Sequence, residues 1–235
     1  RVNRIFRYMV KVQKRFGKCS GCLISATHVL TSAVCVSNWD ARSVHIVADR
    51  DPNYIYMVAV TKIIIHPHYK KADTPLLTYH TKDNNIAVIK MKTPISFGSH
   101  DYILSVTTAI ETPYGLNTSF GACIFVRGGR IHQPTTYARN EEQPSYRLRI
   151  LEPSECERAG VQVRSTEFCA KTIDPANLLT LEDEGSPLVC DGHIVGIYTN
   201  PVQPRFLPRY SINGPPIFVK VISHHAFIVE AMQSE

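Results

Sequence analysis

Tryptophan occurs once in these 235 residues and methionine four times. No stretch approaches the roughly 18 consecutive apolar residues of a membrane-crossing helix, so no membrane span is expected. No internal repeat and no low-complexity tract appear. No secretory leader opens the sequence, so it reads as a mature or trimmed chain. Metal-ligand spacings are missing too. Cys19-x-x-Cys22 suits a metal or redox half-site, yet no second Cys/His pair completes it, and neither a metal nor a cofactor is expected. Acids are missing from the first 18 residues, which carry Arg1, Arg4, Arg7, Lys11, Lys14, Arg15 and Lys18.

What is present suits a folded chain of one large or two small domains, with 44% hydrophobic residues. Short runs rich in β-branched residues alternate with turn residues, the pattern of strands. Residues 8–13, 43–47, 57–60, 63–65 and 86–91 read as strands of the first half. Residues 122–127, 146–151, 188–190, 193–198 and 216–221 read as strands of the second. Glu152-Pro153-Ser154-Glu155-Cys156 has helix-start chemistry, and residues 224–232 read as a closing amphipathic helix. Residues 72–82 form an expected exposed loop. The polar, turn-rich segment 96–115 marks a crossover between halves. Seven cysteines without metal spacing are many for a cytosolic protein.

Three stretches carry more than pattern. Asp183-Glu184-Gly185-Ser186-Pro187-Leu188-Val189-Cys190 resembles the nucleophile loop of trypsin- and chymotrypsin-like serine proteases, which reads Gly-Asp-Ser-Gly-Gly-Pro-Leu before a strand and a cysteine. Residues 19–35 resemble the segment Cys-Gly-Gly-Ser-Leu-Ile to Val-Leu-Thr-Ala-Ala-His-Cys that carries the family's histidine. Asp83-Asn84-Asn85-Ile86-Ala87 is similar to its Asp-Asn-Asp-Ile-Ala. The motifs keep the family's order along nearly the whole chain. The resemblance implies an all-β fold of two six-stranded antiparallel barrels with a C-terminal helix. Residues 1–110 would form the first barrel, and residues 111–235 the second barrel with the helix.

The resemblance also exposes what is missing. Val34 stands in the histidine position, Asn85 in the aspartate position and Glu184 in the serine position. Valine has no lone pair to take a proton from a nucleophile. The Asp-to-Asn change alone costs about ten-thousand-fold in a working triad. A Glu184 carboxylate would repel an oxyanion forming beside it. The implied outcome is a protein without catalytic residues.

The cleft departs from the family as well. Thr199, Asn200 and Pro201 replace the Ser-Trp-Gly that pairs with a peptide substrate, and a proline there removes a ladder donor. Leu178 falls at the base of the specificity pocket. Thr180 takes the place of a cysteine, and the Ile-Val-Gly-Gly released on activation is absent ahead of the first strand. No zymogen switch is evident, Asp183 must find another partner, and the cleft is expected to have collapsed. The resemblance implies the bridges Cys19–Cys35, Cys123–Cys190 and Cys156–Cys169. Cys22 is left over, either as a buried apolar residue or as an intermolecular bridge. Ile65-His66-Pro67-His68-Tyr69 resembles the family's His-Pro-x-Tyr turn, with a His66/His68 metal pair as the alternative. Asn117-Thr118-Ser119 matches a glycosylation acceptor.

Replacement of all three catalytic residues is similar to the inactivated serine protease paralogues of parasitic mites, related to the group 3 mite allergens. That likeness implies a secreted protein that binds host plasma proteins, complement components in particular, and blunts a proteolytic defence. The basic amino-terminal residues offer a different reading, a binder of heparan-type glycans. An adaptor in the organism's own protease cascade is a third reading, although the clip domain usual there is missing. Nucleic acid is not an expected partner of an extracellular chain.

Overall fold

A computed structural model of the chain describes residues 8–51, 54–70, 83–95, 123–126, 145–173, 179, 183–199 and 214–234. Each half closes on itself as an antiparallel barrel of six strands. The first comprises β1 (Met9–Lys14), β2 (Gly17–Leu23), β3 (His28–Thr31), β4 (His45–Asp51), β5 (Tyr54–Ile65) and β6 (Ala87–Met91), in the order β1-β2-β3-β6-β5-β4. The second comprises β7 (Cys123–Val126), β8 (Ser145–Ile150), β9 (Glu167–Thr172), β10 (Pro187–Cys190), β11 (His193–Thr199) and β12 (Ile217–Lys220), in the order β10-β11-β12-β9-β8-β7. Closure leaves no open sheet edge.

Period-two patterning sets the register. Val12, Ile46 and Val58 pair across β1, β4 and β5, and all three are buried. Cys22, Leu30 and Val88 form another buried row across β2, β3 and β6. A one-residue slip of any strand would turn such a row to solvent. The sequence runs 57–60 and 63–65 prove to be one strand. A register irregularity between Val60 and Lys62 joins them, and the Thr61 hydroxyl donates to the Lys90 carbonyl there. Such a bulge lets a long strand bend round a small barrel.

The second core is aromatic. Phe168 stacks on Phe218 at 5.3 Å between ring centres, and Phe125 and Tyr198 meet Phe218 at tilted angles. Gly196 permits this, because a Cβ there would lie 2.6 Å from Phe168 Cζ. The β10–β11 turn is Asp191-Gly192, both at positive φ (48° and 80°), as a two-residue hairpin turn requires.

Three short helices complete the described residues: α1 (Ala33–Val36), α2 (Pro153–Arg158) and α3 (His225–Gln233). Helix α2 begins where its chemistry predicts. Pro153 takes the first turn, and Glu155 Oε2 accepts the Glu152 N–H at 3.0 Å. The hydrogen bonds from Arg149 hold the Glu155 carboxyl down at about 2. Helix α3 follows the second barrel in sequence but joins the core of the first. Ile228 and Ala231 are buried in that core, and Lys90 of β6 donates to the Ser234 carbonyl at 2.9 Å. Packing among the described residues therefore runs across the two halves. Val126, Val189, Ile194, Ile197, Val219 and Val221 of the second half belong to the same continuous cluster.

Cys19–Cys35, Cys123–Cys190 and Cys156–Cys169 are bridged, and Cys22 is a buried free thiol. Three bridges fit an extracellular protein. No helix among the described residues is long and apolar enough to cross a membrane.

Candidate functional site

Val34, Asn85 and Glu184, the three positions singled out in the motifs, meet where the barrels join. Val34 lies in α1, just after β3, and Asn85 lies two residues before β6. Glu184 arrives from the second barrel, in the turn before β10, and is only 7% exposed. The Val34 backbone N–H donates to Asn85 Oδ1 at 2.7 Å, and Asn85 Nδ2 donates to Glu184 Oε1 at 3.4 Å. The short backbone bond fixes which end of the amide is oxygen, so the NH2 group must face the carboxylate. An aspartate at residue 85 would bring a second anion against Glu184. The amide and the carboxylate are therefore mutually adapted.

The Glu184 turn is held from both barrels. Its carbonyl accepts the Ser20 N–H at 2.9 Å, while Gly185 N–H donates to the Tyr198 carbonyl at 3.0 Å. Gly185 is obligatory. Its φ is +87°, and a Cβ there would run into the Ser20 carbonyl and lie 2.5 Å from Thr31 Oγ1. Thr31 Oγ1 itself donates to the Ser20 carbonyl at 2.7 Å. Asp183 is fully buried and partnered, and its carbonyl accepts Ser186 N–H at 2.9 Å. Ser186 Oγ is buried without a hydrogen-bond partner.

Tyr69, which sequence reading singled out only as part of a turn, is half-buried, and its hydroxyl is buried without a hydrogen-bond partner. Burial pushes its phenol up, Ser37 beside it pulls the other way, and the Glu184 carboxylate raises it further. The influence of the Glu184 charge on Tyr69 had no local signal, because the two lie far apart in the sequence. The resulting arrangement sets an amide against a carboxylate beside Val34. It can accept hydrogen bonds and carry one negative charge. Residue 184 carries a carboxylate and not a hydroxyl.

The aspartate-motif loop is also tied to the second half. Asp83 pairs with Arg164 at 2.8 Å, although both are partly exposed. Asn84, at φ 50°, donates from Nδ2 to the His68 carbonyl at 3.0 Å, which turns its Oδ1 to His224 Nε2 at 3.1 Å. The other ring nitrogen of His224 lies 2.8 Å from the Lys220 carbonyl. Both nitrogens thus face acceptors, whereas a neutral imidazole has one N–H to give. Burial holds His224 below its usual range, against the pull of the Lys220 carbonyl and Asp83. His66 packs on His224 and Phe227, and its Nδ1 accepts the His68 N–H at 3.2 Å. His66 and His68 are therefore parts of a turn. Among the described residues no group of three or more His, Cys, Asp or Glu side chains is placed to hold a metal.

Of the altered cleft, Thr199 is buried, and its hydroxyl donates to the Ile217 carbonyl at 3.3 Å, inside the second barrel. Leu178, Thr180, Asn200 and Pro201, and with them the expected collapse of the cleft, lie outside the described residues. So do Arg1, Arg4, Arg7 and Asn117. Lys11, Lys14, Arg15 and Lys18 fall on β1, β2 and the turn between them. There Lys14 Nζ sits 5.0 Å from the Trp39 ring centre and the Arg15 guanidinium 5.1 Å from that of Phe16.

Known proteins share this architecture. Mouse kallikrein-1 is 27% identical over 93% of this chain and 82% of its own length, and Salmo salar trypsin-3 is 26% identical over 97% and 88%. Among solved structures, kallikrein-related peptidase 10 in complex with Zn2+ superposes with a TM-score of 0.70 at 21% identity, covering 98% of this chain and 96% of that one. Neuropsin, a serine protease expressed in the limbic system of mouse brain, gives 0.70 at 19% identity, covering 99% and 97%. These two likenesses speak to the fold. The trypsin family's sequence profile matches residues 2–222, and the chain belongs to that family.

Proposed function

We propose that this chain keeps the trypsin fold without its chemistry and acts by binding, as an extracellular protein that interferes with a host proteolytic defence, complement in particular. The observation that carries the reading is the contact Val34–Asn85–Glu184. A hydrogen-bonded amide and carboxylate occupy the place where attack and proton transfer would have to occur, and valine supplies no base. The resemblance to inactivated mite paralogues supports complement components as partners.

Two measurements test it. A fluorophosphonate probe and a panel of peptide substrates should give no labelling and no turnover. Turnover abolished by Glu184→Ala would overturn the inactive reading. Added to serum, the protein should reduce complement-mediated lysis in proportion to its concentration, and unchanged lysis would remove complement as the target. The cation-rich β1–β2 hairpin favours a second reading, a binder of heparan-type glycans, whose binding would vanish at moderate salt.

A further inference from the structure

The apex of the β1–β2 hairpin places a bare aromatic among cations. Pairing of the two strands continues to Lys14 opposite Gly17, so Arg15 and Phe16 form the whole turn. Phe16 is 84% exposed, the most exposed large apolar side chain among the described residues. Leaving a phenylalanine ring in water forgoes the stabilisation that its burial would give. The turn is also well supported. Trp39 packs so tightly on Gly17 that a Cβ there would lie 2.9 Å from its Cζ2. Lys14 covers the Trp39 ring, and Arg15 lies over Phe16 itself. The tip itself carries Lys14 and Arg15. Residues 1–39 contain no Asp or Glu, and Asp40, the first acid, accepts the Arg42 N–H at the start of its own short turn.

We infer that this tip is a docking site for a partner protein that presents an apolar pocket edged with carboxylates, with Phe16 as the plug and Arg15 and Lys14 on its rim. The inference rests on the reading that the chain acts by binding, and it names the surface. Aromatic and arginine side chains at a pre-organised projection are what protein interfaces use as anchors. A sulfated glycan fits less well. It would engage the cations of the hairpin, but its polar surface gives the exposed Phe16 ring no apolar pocket. A membrane fits less well too, because one phenyl group and a few cations give weak anchoring.

The test uses the wild type, Phe16→Ser, Phe16→Tyr, Arg15→Gln and a distant control, Ile173→Ser, at a residue 53% exposed in the second half. Each is immobilised and exposed to plasma at 0.15 M NaCl. The protein best retained by the wild type is identified by mass and purified, and its Kd is measured against every variant. Phe16→Ser should weaken binding at least tenfold and Arg15→Gln about fivefold. Phe16→Tyr and Ile173→Ser should stay within threefold of wild type, and all variants should melt with it. A Phe16→Ser affinity within twofold of wild type overturns the tip while leaving a binding function intact. Retention of no plasma protein by the wild type overturns both. Parallel titrations use heparin and phosphatidylserine vesicles. If Phe16→Ser abolishes binding to one of these and leaves the plasma protein untouched, the protein pocket is the wrong occupant.

Discussion

Asn85 shows how one atom exchange changes a site. Its oxygen is held by the Val34 N–H, so the other end of the amide must serve Glu184. Asn85→Asp turns that donor into an anion. Two unit charges about 4 Å apart cost about 4 kcal/mol at a near-surface effective dielectric, an upper bound because one carboxyl can take up a proton. Melting at pH 7.5 should fall by several degrees relative to wild type. The pair's raised carboxyl binds its proton as the pH drops, so the penalty is present above that pKa and shrinks below it. The gap from wild type should narrow at pH 4.5, and a gap that is constant with pH would refute the charge explanation. Gly185→Ala meets a harder obstacle, a positive φ together with the Ser20 carbonyl. Its expected cost is at least about 3 kcal/mol, seen as loss of soluble, cooperatively melting protein.

Elements bring titration into the fold. His28 at the start of β3 is buried, and its Nδ1 lies 2.9 Å from the Ser25 hydroxyl and 3.0 Å from that of Thr27. Its Nε2 is buried with no partner. Burial first, and the Lys90 charge second, hold its pKa below the usual range. His66 and His224 are lowered as well, with burial the leading cause in both. A histidine lowered on folding contributes stability above its unfolded pKa, about 6.5, and loses it as the pH falls toward the folded value. Melting temperature should therefore drop between pH 7.5 and pH 5, and less steeply in His28→Gln. The Asn84–His224 bond ties α3 to the aspartate-motif loop. Asn84→Ala should speed hydrogen exchange across residues 225–233 and leave β1 and β2 unchanged. Equal acceleration throughout would mean a global effect.

Across the whole molecule, three bridges and one buried thiol make a redox test simple. Burial pushes the Cys22 thiol far up, its carbon neighbours are core residues, and the side chain is fully covered. Native protein should take up no maleimide. The same protein unfolded without reductant should take up one equivalent, read by intact mass. Rapid labelling of the native form, or a dimer that separates only on reduction, would refute the buried-thiol account. The net charge of +6 belongs to this scale too, since it favours encounter with acidic partners and lets salt weaken it.

Much of this was determined by the sequence alone, because its causes are local. Strand runs follow from alternation over a few residues, the start of α2 from Pro153 and Glu155, and the family from motif order and cysteine placement. Val34, Asn85 and Glu184 could be singled out from the motifs before any geometry was known. What the tertiary structure decided depends on chain segments far apart in sequence. Closure of the barrels set the Asn85 amide against the Glu184 carboxylate and joined residues 57–60 and 63–65 through a bulge. The C-terminal helix was legible, but its docking on the first barrel was not, since amphipathicity names an apolar face without naming its partner. The cations of the first hairpin could be counted in the sequence. That Phe16 projects among them while Trp39 supports the turn followed only from the register of β1 on β2, because a side chain's exposure depends on which parts of the folded chain pack against it.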